Sequence, residues 1–436
     1  MTSPRSQRQG RPLPAHDPPP AVPAGGEPGS AGAQTAASQD EVPLRVSTLE
    51  IFFDLVFAFT LTQLTSVLAS RVSWLAVGQV LLVFVLLWWM YGAYAWLTNA
   101  RPPVHPTERL LLLVGMAGFL VVGLAIPRGF SNYGVVLGLG YLTVVLVHAV
   151  LYYRVNANIL RVAPFNIASA LLITVAGLLH GPSGAASVPA YLLWIGALVV
   201  QLGSPLVVHP AGLFALRPAH FSERHNALLI VAIGESVAAV GIGAAGPASQ
   251  PGAVNSGLLA SAVLGLAVAA ALWWIVFGTG DEERAERALS EATTERRTGL
   301  ALSAFFYGFI PLLLGLIAMA AGVLRSVTLA AELRAAALPL ATRAGQAAIV
   351  AVGAALFLAG DVIIRTQLRT GPVRLRAVAA VVVLASIAVG IAAGLEAQLA
   401  VVTAVLIAPL IAERQPDPAG PAGPAGGGQA RADAAG

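Results

Sequence analysis

Long stretches of apolar residues alternate with short polar stretches along most of this chain. Each apolar stretch has about 17 to 25 residues, enough to cross roughly 30 Å of hydrocarbon as an α-helix. We place them near residues 48–69, 73–97, 108–127, 133–153, 164–180, 188–208, 225–243, 255–278, 299–322, 343–366, 375–394 and 397–412. The pattern predicts an all-α fold, a polytopic integral membrane helical bundle of about 12 transmembrane helices.

Composition supports a membrane protein and excludes a soluble globular one. The 436 residues are 57% hydrophobic and 11% charged, which leaves too little polar surface for a soluble protein of this length. The chain contains no cysteine, so disulfides, thiolate metal sites and cysteine nucleophiles are excluded. We predict no metal ligands and no catalytic residues, and the sequence identifies no cofactor.

Both ends of the chain differ in composition from the apolar middle. Residues 1–44 and 413–436 are rich in Pro, Gly and Ala and hold no apolar stretch that would offset the entropy lost on ordering. We therefore expect disordered cytoplasmic tails on either side of a transmembrane domain over residues 45–412. The N-terminal tail lacks the apolar stretch that a cleavable signal peptide requires.

Arginine supplies all of the basic charge, and its distribution indicates the topology. Of the 25 arginines, twenty fall in the tails and alternate loops of a twelve-span arrangement, and five fall on the opposite side. The positive-inside rule then places both termini in the cytoplasm and the protein in the cytoplasmic membrane as a multi-pass protein. Because this charge sets topology, we expect the lipid bilayer as partner and no nucleic acid.

One loop on the arginine-rich side is long and highly charged. It covers about residues 281–298, and Glu283 and Arg287 have the i,i+4 spacing of a helical ion pair. We interpret the loop as a solvated cytoplasmic helix that connects two spans. The alternative is a surface that binds a partner.

The first span contains two carboxylates, Glu50 and Asp54. Ser47-x-x-Glu50 has the form of a capping box, so Glu50 has a structural explanation at the helix start. Asp54 lies on the same helix face, roughly 9 Å inside that start. A carboxylate at this depth is unfavourable by a few kcal/mol unless it is paired, hydrated or protonated, so Asp54 is a candidate site residue.

The seventh span contains the deepest acid, Glu235, about ten residues inside the predicted helix start. Gly234, Gly241 and Gly243 would allow close helix approach, so we expect Glu235 to face a packed or hydrated interior. Glu223, Arg224 and His225 are assigned to the membrane surface. An inert buried acid, bonded to a neighbouring arginine or serine, is the alternative for Glu235.

Other polar or aromatic residues within the spans have structural explanations. His148 lies at about the depth of Asp54 and is a further candidate, although a lone helical histidine is more often a packing residue. Asp361 is expected to pair with Arg365, four residues on. Trp88, Trp89, Tyr91, Tyr94 and Trp96 suggest an interfacial aromatic belt, with a substrate path as the alternative.

Several motifs carry a resemblance to a known family. STLEIFFDLVFAF at residues 47–59 resembles the signature of the bacterial low temperature requirement A family, whose members typically begin with ELFFDLVF. WLTN at 96–99, AIP at 125–127 and SERHNALLIVAIGES at 222–236 are similar to later family landmarks in the same order, and the likeness covers residues 45–412. The resemblance implies an inner-membrane protein, linked in the naming member to growth in the cold, without an established reaction.

Two departures from the family pattern stand out. After Trp273 and Trp274 the family often has an aromatic residue and an aspartate, whereas the first acid here is displaced to Asp281. Before the Pro-Leu of the ninth helix the family commonly has a histidine, whereas Phe309 and Ile310 precede the proline here. A role for that histidine therefore does not transfer to this chain.

Three hypotheses follow for function. In the leading one, the protein is transporter-like, and Asp54 and Glu235, with Glu50 and His148 as further candidates, bind a proton, a cation or a basic small molecule. The second is a non-catalytic membrane scaffold or sensor that supports growth at low temperature. The third, an intramembrane lipid-modifying enzyme, is disfavoured because HExxH, GxSxG and dense His/Asp clusters are absent.

Overall fold

The computed structural model describes residues 46–155, 159–181, 184–207, 216–244, 255–331 and 338–413. The predicted tails, residues 1–44 and 413–436, lie outside these residues apart from Glu413 at the end of the last helix. The helices are α1 (Thr48–Ser70), α2 (Trp74–Ala100), α3 (Pro106–Ala125), α4 (Gly134–Tyr153), α5 (Ile159–Ala176), α6 (Val188–Val207), α7 (Pro218–Ala244), α8 (Ser256–Phe277), α9 (Asp281–Glu291), α10 (Thr294–Leu300), α11 (Phe309–Ala331), α12 (Leu340–Leu368), α13 (Arg374–Val382), α14 (Ser386–Ala393) and α15 (Leu395–Glu413).

Twelve helical segments among the described residues are long and apolar enough to cross a membrane, which confirms the predicted architecture. The ninth span joins α10 and α11 through a π-helical turn at Ala301–Tyr307, and the eleventh joins α13 and α14. Most predicted bounds agree with the structure within a few residues. The largest differences lie at α7, which begins seven residues earlier than predicted, and in the ninth span, which extends to Ala331.

Helix caps explain several of the boundaries. Ser47, Ser73 and Asn255 each accept a hydrogen bond from a backbone N–H in the first turn of the helix that follows. At Ser47 the predicted capping box is confirmed, because the Glu50 carboxylate also accepts from the Ser47 N–H at 3.0 Å.

Three helices, α1, α7 and α11, contact one another and form the centre of the described bundle. The first half of the bundle builds outward by sequential pairs, since α3 packs on α4, α4 on α5 and α5 on α6. In the second half α11 packs closely along α12. A Cβ at Gly315 of α11 would come within 2.5 Å of the Phe357 backbone nitrogen on α12, so this approach requires glycine.

The aromatic residues of α2 are core residues, and the predicted interfacial belt is wrong for three of them. Trp88, Tyr91 and Tyr94 are fully buried. They face α1 and α11, where their rings pack against Phe53, Phe57 and Phe309. The α2 aromatics therefore form one wall of the region around Asp54.

Candidate functional site

A cluster of buried charged residues lies between the start of α1 and the start of α7. Its members are Glu50, Asp54, His220 and Arg224, each no more than 1% exposed. We call it the α1–α7 cluster. The sequence led to Glu50 and Asp54, and the structure adds the two basic residues.

Arg224 is the centre of the α1–α7 cluster. Its Nε and Nη2 both lie 3.3 Å from Oδ1 of Asp54, and its Nη1 lies 3.4 Å from Oε1 of Glu50. Nη1 also donates to the Thr98 hydroxyl. A single guanidinium therefore bridges the two carboxylates of α1, which gives each acid a partner in a region that water does not reach.

Aromatic rings enclose the guanidinium. The carbon at its centre lies 5.3 Å from the Phe53 ring centroid and 5.7 Å from that of Tyr91, within the range of cation–π contacts. The Tyr91 hydroxyl donates to Oδ1 of Asp54 at 3.0 Å. Oδ1 thus accepts three hydrogen bonds, whereas Oδ2 of Asp54 is buried and has no partner among the described residues.

Asn99 indicates the protonation state of His220. The Asn99 Oδ1 accepts from the Arg217 N–H at 2.9 Å, which identifies the amide nitrogen as the atom 3.2 Å from His220 Nδ1. Nδ1 is therefore an acceptor, and the proton of a neutral ring lies on Nε2, 3.2 Å from Oε2 of Glu50. With His220 neutral and both carboxyl groups ionised, two carboxylates would face one guanidinium, and the cluster would carry one excess negative charge.

Glu235 lies deeper along the same pair of helices. Its Oε2 accepts a hydrogen bond of 2.5 Å from the Thr62 hydroxyl of α1, and the residue is half-buried. Asp54 meets Arg224 near the helix starts, and Thr62 meets Glu235 further on, so α1 and α7 run parallel. Glu235 is therefore separate from the α1–α7 cluster and has no basic partner within 4 Å among the described residues.

The glycines around Glu235 only partly fulfil the expectation of close helix packing. Gly243 does so, since an added Cβ would lie 2.9 Å from the Val327 side chain of α11. At Gly234 and Gly241 that prediction is wrong, because open space surrounds both positions. These two glycines instead leave one face of α7 uncovered next to Glu235.

His148 is not brought together with the carboxylates. Its ring packs against Tyr94 and Tyr152, with centroid distances of 5.2 and 5.5 Å, and Tyr94 in turn packs against Phe53. Its Nε2 is buried without a hydrogen-bond partner among the described residues. Its surroundings are those of an aromatic packing residue.

A second group of buried charges joins α12, α13, α15 and the start of α9. Asp361 lies 2.9 Å from Nη1 of Arg376 and 3.5 Å from Nε of Arg365, so the expected Asp361–Arg365 pair is present and the closer partner was missed. Arg376 also binds Glu413, and Arg365 binds Asp281. Asp281, the first acid after Trp273 and Trp274, is thus an ion-pair partner of Arg365 on α12, the tenth span.

Sequence reasoning missed Arg224 and His220 because the start of α7 was placed at residue 225. With α7 beginning at Pro218, both residues lie inside the helix, four positions apart on one face. The available signal was Pro218 itself, since proline is favoured in the first helical turn. Arg376 was likewise counted only as a topology residue, although it is fully buried.

The structure therefore defines a multi-pass α-helical membrane protein with a buried, arginine-bridged pair of carboxylates between its first and seventh spans. Residues 45–411 match the family of the bacterial low temperature requirement A protein (LtrA), and this chain belongs to that family. It is also 28% identical over 291 residues to an uncharacterized protein of Rhizobium meliloti (strain 1021), a match that covers 64% of this chain and 68% of that protein.

Proposed function

We propose that this protein is transporter-like and that carboxylates between α1 and α7 bind a proton or a cation. The observation that carries the proposal is the charge of the α1–α7 cluster, in which Glu50 and Asp54 share one guanidinium. A buried excess charge is unfavourable, and one bound proton or cation removes it. Asp54 has a buried oxygen, Oδ2, to receive that proton.

Glu235 offers a second site for a proton or cation on α7. It lies eleven residues beyond Arg224 on α7, roughly 16 Å further along the helix axis. A second acid at this depth offers a site to which a proton or cation moves once it leaves the α1–α7 cluster.

The alternative is a non-catalytic scaffold. The observation in its favour is that Arg224 has polar partners on α1 and α2, so the α1–α7 cluster also fixes the packing of three helices. In that case the carboxylates act only as hydrogen-bond acceptors, and amide side chains of the same shape would replace them with little change in function.

The test is proton flux into vesicles that contain the purified full-length protein. Asp54→Asn and Glu235→Gln keep the side-chain shape and remove the titrating group, so each is expected to lower the flux at least tenfold. Glu283→Gln, at an exposed acid of α9, is the matched control and is expected to retain it. Equal flux in all four proteins, at equal amounts of folded protein, would favour the scaffold.

The same variants are to be compared for growth in the cold in a strain that lacks the gene. Failure of both amide variants, with normal membrane abundance, supports a titrating or cation-binding role. Growth of both variants at the wild-type rate would contradict it.

A further inference from the structure

An arginine-lined cavity lies at the ends of helices α9, α10 and α12, away from the α1–α7 cluster. Helices α9 and α10 and the end of α12 border an open cavity of about 460 Å³, and the lining includes Arg284, Arg287, Arg296 and Arg369. We call this space the arginine cavity. Its single acidic residue is Glu291.

Most of these arginines have no partner of opposite charge. Arg284 pairs with Asp281 at 2.5 Å. Among the described residues, no carboxylate lies within 4 Å of the guanidinium groups of Arg287, Arg296 and Arg369. Like charges that line one concave surface repel one another unless an anion lies between them.

Arg369 adopts a backbone conformation that normally belongs to glycine. It ends α12 with φ of 55° and ψ of 40°, and it is the only non-glycine residue with positive φ in the described part of the chain. Glycine closes a helix in this way without steric conflict, whereas a Cβ meets one. A glycine at this position would end the helix without a side chain, whereas Arg369 contributes a side chain to the lining of the arginine cavity.

The turn between α9 and α10 is fixed in shape. The guanidinium of Arg297 donates to the carbonyl oxygens of Leu289, Ser290 and Ala292 at 2.8 to 3.1 Å. These bonds satisfy carbonyls at the end of α9 that the helix leaves unpaired. Arg297 therefore holds the two helices at a set angle, which fixes the shape of this wall of the arginine cavity.

We propose that the arginine cavity binds a phosphate-bearing anion, and that this anion is the headgroup of an anionic phospholipid. Guanidinium groups match the geometry of phosphate oxygens and bind them with paired hydrogen bonds. Ala288, Leu300 and Leu368 line the same space and provide apolar contacts for the glycerol and upper acyl carbons. The cavity lies beside the start of the ninth candidate span and the end of the tenth, where a lipid headgroup on this side of the bundle would be within reach of its arginines.

The test is lipid binding to the full-length protein, measured by native mass spectrometry with phosphatidylglycerol and with phosphatidylcholine. Arg296→Gln and Arg369→Gly are each expected to weaken phosphatidylglycerol binding about fivefold. Arg369→Gly also removes the strained conformation, so its unfolding temperature is expected to equal or exceed that of the wild type. Arg374→Gln, at an exposed arginine outside the cavity, is the matched control and is expected to bind as the wild type does.

A competition with pyrophosphate distinguishes the two sources of phosphate. If pyrophosphate displaces phosphatidylglycerol from the wild type but not from Arg369→Gly, the result supports a phosphate site that a lipid occupies. Pyrophosphate binding without any preference for phosphatidylglycerol over phosphatidylcholine would overturn the lipid assignment in favour of a soluble anion. Unchanged phosphatidylglycerol binding in Arg296→Gln and Arg369→Gly would overturn the site itself.

Discussion

At the scale of single residues, Arg224 decides the character of the region around Asp54. The residue is 1% exposed and holds Glu50 and Asp54 together, so neither acid is an isolated buried charge. Glu235, by contrast, has a hydroxyl partner in Thr62 and no described basic partner. Asp54 and Glu235 thus occupy different environments. Asp54 contacts a guanidinium, whereas the described partner of Glu235 is an uncharged hydroxyl.

Replacing Arg224 with glutamine is expected to destabilise the protein by about 3–5 kcal/mol, because it leaves two buried carboxylates without a counter-charge. Thermal unfolding of the purified protein measures the loss. The double variant Asp54→Asn with Arg224→Gln restores the original net charge of the cluster, so part of the stability is expected to return. Equal stability of Arg224→Gln and the wild type would show that the guanidinium does not compensate the charge of the buried carboxylates.

At the scale of elements, the ninth span departs from α-helical geometry at Ala301–Tyr307, shortly before Pro311. Proline has no N–H, so in the π-helical register it cannot donate to the Phe306 carbonyl five residues earlier. The indole Nε1 of Trp88 on α2 donates to that carbonyl instead, at 3.0 Å. The buried tryptophan therefore completes the hydrogen bonding of another helix.

Trp88→Phe is expected to reduce the free energy of unfolding by about 1–3 kcal/mol, since it removes the donor to the partly buried Phe306 carbonyl. Trp273→Phe is the control, because Trp273 is 43% exposed on α8 and its loss is expected to have little effect. Chemical unfolding of both variants provides the comparison. An equal effect of the two substitutions would contradict the assigned role of Trp88.

Two glycines give predictions of opposite sign for stability, one in the contact between α11 and α12 and one on an open face of α6. Gly315→Ala places a Cβ 2.5 Å from the Phe357 backbone nitrogen, so the helices must separate and stability is expected to fall by about 1–3 kcal/mol. Gly196→Ala in α6 meets open space and is expected to raise stability by up to about 1 kcal/mol through better helix propensity. Unfolding temperatures of the two variants check both signs.

Hydrophobic length alone predicts the spans well, because each must cross the same thickness of hydrocarbon whatever its neighbours are. It predicts the polar ends of spans poorly. The start of α7 contains His220 and Arg224, which a hydropathy pattern excludes from the membrane, although partners on α1 and α2 allow their burial. Tertiary pairing of this kind is invisible in one sequence read span by span.

The aromatic residues of α2 illustrate a second limit. Tryptophan and tyrosine near a span end are typical of the interface, and the sequence gives no sign of the neighbours that bury Trp88 and Tyr91. The candidate site can be predicted only in part, because a sequence shows residue types but not the contacts between spans. Glu50, Asp54 and Glu235 stand out because they are acids in apolar stretches, whereas the role of Arg224 depends on contact between spans that are about 170 residues apart.

At the scale of the whole molecule, a series of contacts links the described ends of the chain. Val46 contacts Glu223 at the start of α7, and Arg297, near the start of α10, contacts Leu216, which precedes α7. On the far side of α9, Asp281 binds Arg365 at the end of α12, and Arg376 at the start of α13 binds Asp361 and Glu413. The start of α1 and the end of α15 therefore lie on one side of the bundle, as an even number of spans requires.

Both termini are predicted to be cytoplasmic, because the arginine-rich loops lie on the same side as these ends. Fusions of green fluorescent protein to either terminus are expected to fluoresce, and fusions of alkaline phosphatase to the same positions are expected to be inactive. Opposite results at both termini would invert the topology. A fluorescent fusion at one terminus alone would contradict the even number of spans.

The central claim is that a carboxylate between α1 and α7 takes up and releases a proton. An infrared titration of the purified full-length protein tests it most directly, since a protonated carboxyl group has a C=O band that a carboxylate lacks. The account predicts such a band in the wild type that disappears as the pH rises and that is reduced in Asp54→Asn or Glu235→Gln but not in Glu283→Gln. Absence of any titrating band that depends on Asp54 or Glu235, over the pH range in which the protein stays folded, would contradict it.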